Sequence, residues 1–306
     1  MIDYVVPMVF ADDPEWQADL QRACPGEYAA GARFRSWGTE QLLIACVRKF
    51  MPWVRDIVVL LARESQVQPW MKELRVVFHR EFMPEEFLPT FNSRAIEMFL
   101  HRIPGLSEHF LYGNDDMIPV SPLQKEDFFR PRSAAFPNAA EPNEGICNAQ
   151  MLPCQSMTWK AFPEHPNNFQ AACMGGLNFV GEEFGLKFTT TWLKNGHSIA
   201  PICRKSIEHL WQRDARRILA SVSPLREVKN FNQYIYSWYQ HFSGQYVEHT
   251  PARCLCNVKS HTPEQMAAEL LNPANQIVCI NDNRQCPDIS AYAQACQKAI
   301  TKRMKE

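Results

Sequence analysis

The spacing of apolar residues along this chain changes several times, and each change marks an element. Residues 2–10 read Ile-Asp-Tyr-Val-Val-Pro-Met-Val-Phe, a strand with Pro7 as an irregularity inside it. Between 37 and 50 the spacing becomes helical through Leu42, Leu43, Cys46, Val47 and Phe50, and Pro52 ends it. The run Ile57-Val58-Val59-Leu60-Leu61 has no polar alternation, as in a strand covered on both faces. A short strand follows over 74–78. Asn92 or Ser93 then caps a helix whose stripe is Ala95, Ile96, Phe99, Leu100 and Ile103, stopped by Pro104-Gly105, with Arg94, Glu97 and His101 on its other face. Phe110-Leu111-Tyr112 is a further strand.

Residues 118–175 break the rhythm with many prolines, among them Pro119, Pro122, Pro131, Pro137, Pro142, Pro153, Pro163 and Pro166. This pattern predicts loops and short elements, fit to act as a lid. Helical spacing is predicted again over 182–193, 204–221 and 230–242. A strand over 276–280 and a helix over 290–303 close the series. Strands alternating with helices predict an α/β protein with a mainly parallel sheet. Its parts are a core at 1–117, a Pro-rich loop or lid region at 118–181 and a helical part at 182–306, integrated in one domain.

Composition narrows the function. The chain has 306 residues, 46% hydrophobic and 21% charged, with a net charge of −1. It has no basic excess to recruit nucleic acid, so an anionic substrate must be held by local arginines and amides. No run approaches the ~20 apolar residues of a transmembrane segment. The start, Met1-Ile2-Asp3-Tyr4, is unlike a signal peptide, so the expected location is cytoplasmic, with peripheral membrane association left open. The eleven cysteines are then expected to be mostly buried, unpaired thiols.

Asn114-Asp115-Asp116 follows the strand at 110–112, and ligands in such sheets bind beyond the carboxyl ends of strands. Two adjacent carboxylates there can seat Mg²⁺, although acid pairs are also ordinary turn formers. Asn281-Asp282-Asn283 repeats the arrangement after the late strand, so the two ends could share one cation. Thr90-Phe91-Asn92-Ser93 opens a helix, where unpaired N–H groups favour an anion, or where a plain cap suffices. Arg33 and Arg35 flank Phe34 and could clamp a diphosphate, or could simply be solvated. His197, after Asn195-Gly196, is a loop histidine available as a general base. Cys254, Cys256, Cys279, Cys286, His249 and His261 lack the Cys-x₂₋₄-Cys spacing of structural zinc modules, so buried thiols explain them better.

The stretch Leu88-Pro89-Thr90-Phe91-Asn92-Ser93-Arg94-Ala95-Ile96-Glu97, continuing through His101-Arg102-Ile103-Pro104-Gly105-Leu106-Ser107-Glu108 to Asn114-Asp115-Asp116-Met117, resembles the second conserved block of the Stealth proteins. That family includes bacterial capsule phosphotransferases and the animal lysosomal-enzyme N-acetylglucosamine phosphotransferase. Ile2-Asp3 with Asp13-Pro14-Glu15-Trp16 is similar to the first block. His197 and Pro201, continuing to Pro224-Leu225-Arg226, resemble the third, and Cys279-Ile280-Asn281-Asp282 the fourth.

The resemblance implies transfer of a hexose 1-phosphate from a nucleotide-sugar donor to a glycan acceptor, in capsule or surface polysaccharide synthesis. It puts Asp115 and Asp282 on a Mg²⁺ or Mn²⁺ ion, His197 or Asp116 at the acceptor hydroxyl, and Arg226 at the phosphate. Arg33, Arg35, Asn92, Ser93, Asn114 and Asn281 are the expected substrate-binding residues. The chain departs from the family at Val9-Phe10-Ala11-Asp12, at Glu40-Gln41-Leu42-Leu43-Ile44-Ala45-Cys46 and at Ala62-Arg63, all on the nucleotide side. Two alternatives stand beside this reading: a glycosyltransferase cleaving the sugar–oxygen bond, and a non-catalytic glycan-binding descendant.

Overall fold

A computed structural model describes residues 1–26, 34–135, 151–282, 286 and 288–306. Its central sheet is built from β1 (Ile2–Pro7), β2 (Ile57–Leu61), β3 (Arg75–Phe78) and β4 (His109–Tyr112), with the strand Ala200–Cys203 at one edge. The order is Ala200–Cys203, β4, β1, β2, β3. The four numbered strands are parallel, with Tyr4 opposite Ile57, Val58 opposite Arg75 and Ile2 opposite His109; the edge strand runs antiparallel to β4. The mainly parallel α/β sheet expected from the sequence is therefore present.

Strand alternation explains the unbroken apolar runs. Tyr4, Val6, Val59, Leu61 and Leu111 face one core, while Val5, Val58, Leu60, Phe110 and Tyr112 face the other. The first core is closed by α2 (Glu40–Phe50), through Leu43, Val47 and Phe50, and by the last helix, Ser290–Lys305, through Ile300. On the opposite face lie α3 (Ser93–Met98) and the helices Asn168–Gly181, Arg204–Ser221 and Tyr234–Phe242, which bring in Phe99, Trp211 and Trp238. Each buried side chain of β2 contributes about 1.5–3 kcal/mol, so an aspartate at Val59 would break the sheet's centre. The helix α1 (Pro14–Ala23), capped by Asp13 whose carboxylate accepts from the Glu15 amide, was not expected from the spacing.

Several expectations need correction. Residues 118–175 hold short elements as expected, the strands Met117–Pro119, Phe129–Pro131, Met151–Gln155 and Met157–Ala161, but the 14-residue helix Asn168–Gly181 starts inside them, ahead of the expected return of helical structure at 182. Pro137 and Pro142 lie outside the described residues. The helix expected over 182–193 is a single turn, Glu182–Phe184, followed by the strand Thr191–Asn195 paired with Met157–Ala161. Gly185, at φ 67°, ends the turn, and the run Thr189-Thr190-Thr191-Trp192 favours a strand. The helix expected to reach Ile103 stops at Met98 and resumes as a tight turn, Leu100–Arg102.

A smaller sheet sets up the site. Arg253–Asn257 pairs in parallel with Ile277–Asn281, which pairs antiparallel with Met117–Pro119 directly after the acidic turn. Two distant segments are thereby joined at the carboxyl edge of the main sheet.

Candidate active site

β4 ends at Tyr112, and Gly113 turns the chain into Asn114-Asp115-Asp116. The Gly113 amide donates to the Val5 carbonyl at 3.0 Å, and a Cβ at this position would collide with the Tyr4 hydroxyl, so only glycine fits. The turn is pinned at its far side, where the Ile280 amide donates to the Asp116 carbonyl at 2.9 Å. The acids are therefore held rigidly between two sheets. Burial, reinforced by the neighbouring Asp116 and Glu40 carboxylates, pushes the Asp115 carboxyl up to about 7.

Asp116 faces two other groups. Its Oδ2 lies 3.6 Å from His197 Nε2 and accepts a hydrogen bond from the Cys279 thiol at 3.3 Å. Burial opposes a charge on His197, but the Asp116 carboxylate outweighs it and raises the imidazole above its usual value.

Asp282 is held in two contacts by Arg35: Nε donates to Oδ2 at 2.6 Å and Nη2 to Oδ1 at 2.5 Å. Arg35 Nη2 also donates to the Cys286 carbonyl at 2.8 Å. Arg33 and Asn283 lie outside the described residues.

Arg226 reaches the site from the loop after the helix Arg204–Ser221, and its Nη2 donates to Ser93 Oγ at 2.8 Å. Asn92 positions that loop. Its Nδ2 donates to the carbonyls of Ser223 and Leu225 and to Asn230 Oδ1, while its Oδ1 accepts from the Arg94 amide. The Asn92 amide is thus engaged within the protein, and α3 is too short to offer a dipole of its own.

These groups line one cavity of about 360 Å³. Arg35, Asn92, Ser93, Asn114, Asp115, Asp116, Arg226, Asn281 and Asp282 all border it. His197 is not among the lining residues, but its Nε2 lies 3.6 Å from Oδ2 of Asp116, which is.

The sequence reading missed two features. Glu97 is a buried carboxylate that accepts from the Gln233 amide at 2.8 Å and from the Tyr112 hydroxyl at 3.2 Å. Burial raises its pKa, against the pull of Gln233, Arg226 and Arg94. The signal was there: Glu97 stands on the polar face of the α3 stripe. The second feature is an apolar end of the cavity, where Trp16 packs edge-on against Phe34 at 5.1 Å and Phe91 at 5.3 Å. In the same cavity lining, Gln66 Oε1, His79 Nε2 and Thr90 Oγ1 are buried without partners among the described residues. Packing of three distant aromatics leaves no local mark in a sequence.

An open, mainly parallel α/β sheet with acids and arginines gathered at its carboxyl edge is the framework of a group-transfer enzyme. The profile of Stealth protein CR2, conserved region 2, matches residues 33–136. The chain is 27% identical over 309 residues to a capsular polysaccharide phosphotransferase of Actinobacillus suis, covering 95% of this chain and 79% of that one. It is 28% identical to the receptor polysaccharide phosphotransferase WefC of Streptococcus oralis, covering 94% and 92%. An exopolysaccharide phosphotransferase of Lactiplantibacillus plantarum is 35% identical over 58% of this chain and 57% of its own. Residues 33–136 are thus similar to conserved region 2 of the Stealth proteins, and most of the chain is similar to capsular and receptor polysaccharide phosphotransferases. Among solved structures, the galactosyltransferase LgtC with donor and acceptor sugar analogs matches 98% of this chain at a TM-score of 0.39 and 11% identity, too slight a likeness to add to the fold.

Proposed function

We propose that this chain transfers a hexose 1-phosphate from a nucleotide-sugar donor to a glycan hydroxyl in surface polysaccharide synthesis. The observation that carries it is the single cavity, which joins an acidic wall, an arginine and an aromatic end. The aromatic end suits a nucleobase, and the acidic and basic walls suit its phosphates and the acceptor.

A hard divalent cation, Mg²⁺ or Mn²⁺, fits the acidic wall. Asp115 and Asp282 would hold it, and Oδ1 of Asn114, buried and without a partner among the described residues, adds a further oxygen in the same turn. A carboxyl raised to about 7 by burial and then by its acidic neighbours is relieved by such countercharge. When bound, the cation supplies positive charge to the donor's phosphates.

Arg226, braced by Ser93, countercharges the phosphoryl group as its bonds change. His197 takes the proton of the acceptor hydroxyl, and Asp116 orients the imidazole. The acceptor oxygen forms its bond to the β-phosphorus, and the bond to the nucleotide's phosphate breaks. The sugar–oxygen bond stays intact. The same reading puts the chain in the cytoplasm, with the acceptor at the inner face of the membrane. Among the described residues no helix is long and apolar enough to cross a membrane.

The test is a panel of nucleotide sugars with Mg²⁺ or Mn²⁺ and candidate glycans, followed by nucleoside monophosphate release and phosphorus NMR of the product. A phosphodiester-linked sugar is expected. A phosphate-free product would make the chain a glycosyltransferase, and glycan binding without nucleotide release would make it a non-catalytic relative.

A further inference from the structure

The acidic wall offers oxygen donors, but a set with different chemistry lies one residue further along the turn. Asp116, His197 and Cys279 each present a donor atom, and all three atoms lie within 4.8 Å of one another. They come from three separate segments: the turn after β4, the loop before Ala200–Cys203 and the strand Ile277–Asn281. Each segment is fixed by pairing of its own. Ala200 stands opposite Tyr112, Cys279 stands opposite Met117, and the Ile280 amide holds the Asp116 carbonyl. The donors are gathered before any ligand arrives. Cys279 is 1% exposed, and Asp116 Oδ1 is buried without a hydrogen-bond partner among the described residues.

We propose that Asp116, His197 and Cys279 form a binding site for a borderline-soft divalent cation of the zinc class. A carboxylate oxygen, an imidazole nitrogen and a thiolate are the donors such an ion takes, with a fourth position left for water or substrate. Mg²⁺ has no use for the sulfur. On binding, the S–H bond of Cys279 breaks, a sulfur–metal bond replaces it and the proton leaves to solvent. His197 contributes the lone pair of its neutral Nε2. The ion would engage Asp116 and His197 together, the pair to which the transfer reading gives proton handling, and so oppose turnover. Binding itself does not depend on that reading.

The competing thiol site is the Cys254–Cys256 pair on the adjoining strand, whose sulfurs are 3.9 Å apart. Cobalt(II) separates the two. The intact, reduced chain is titrated with Co²⁺ while tetrahedral d–d bands and the near-ultraviolet sulfur-to-cobalt charge-transfer band are recorded. Wild type is expected to develop both at about one equivalent and to lose them on adding Zn²⁺. Cys279→Ser should lose the charge-transfer band, and Cys254→Ser should keep it. His197→Ala, a loop change that spares the strand, should weaken Co²⁺ binding by roughly tenfold or more. A charge-transfer band that survives in Cys279→Ser, or Co²⁺ affinity unchanged in His197→Ala, overturns the proposal. So does a wild-type chain with no sulfur-to-cobalt band.

Discussion

His79 offers a prediction whose size follows from burial alone. It stands just past the end of β3, 5% exposed, edge-on to Phe82 at 6.1 Å, with Nε2 buried and without a partner among the described residues. Burial brings its pKa down from 6.5 to about 4. The unfolded chain therefore accepts a proton near 6.5, which the folded chain refuses until about 4. Above 6.5 His79 imposes no penalty. Between the two values, stability falls as the pH falls, at up to ~1.4 kcal/mol per pH unit. The loss is about 2 kcal/mol at about pH 5 and about 3 kcal/mol when complete. The perturbation is His79→Gln, which keeps a polar side chain and removes the titration. Urea unfolding of both proteins at about pH 7.5 and about pH 5 gives four stabilities. Carboxylates and the other histidines titrate alike in both, so the difference between the two pH dependences isolates His79. Wild type should lose about 2 kcal/mol more than the variant. Equal losses, within about 0.5 kcal/mol, would refute the reasoning and mean that the buried imidazole finds a proton partner.

Two further outcomes are expected. Asp115→Asn and Asp282→Asn should each weaken Mg²⁺ or Mn²⁺ binding in calorimetry without unfolding the chain, and unchanged affinity in both would remove the shared cation. His197→Ala should cut turnover by roughly 10²–10⁴ with donor binding nearly intact. Because Asp116 raises the pKa of His197 and the base must be neutral, the acidic limb of the wild-type pH–rate profile should lie above 6.5 and move down in Asp116→Asn; a limb unmoved there, with His197→Ala near normal, would transfer the role to Asp116.

The core strands and the acidic turn were legible in the sequence because their signals are local. Ile57-Val58-Val59-Leu60-Leu61 is apolar without a break because both faces are covered, and Asn114-Asp115-Asp116 follows its strand directly. The reading failed where long-range pairing decided the outcome. Thr191–Asn195 is a strand because Met157–Ala161 lies beside it, and nothing near Leu193 announces that partner. The same limit applies to the site. Asp282 could be singled out from its own segment, but its ion pair with Arg35 could not. Cys279 was set aside among buried thiols, and only the fold brings it to Asp116.

The order in which the cavity's walls occur along the chain bears on its synthesis. Met8 and Asp282 border the same space, and the strand Ile277–Asn281 must dock on Met117–Pro119 before the acidic turn is fixed from both sides. A growing polypeptide emerges at about 5–20 residues per second, so the early strands wait roughly 15–60 seconds for that late partner. Until it arrives, the turn between β4 and Met117 has one anchor instead of two. A fragment ending before residue 277 lacks Asp282 and the second anchor of the acidic turn, so truncated products of this chain should be inert.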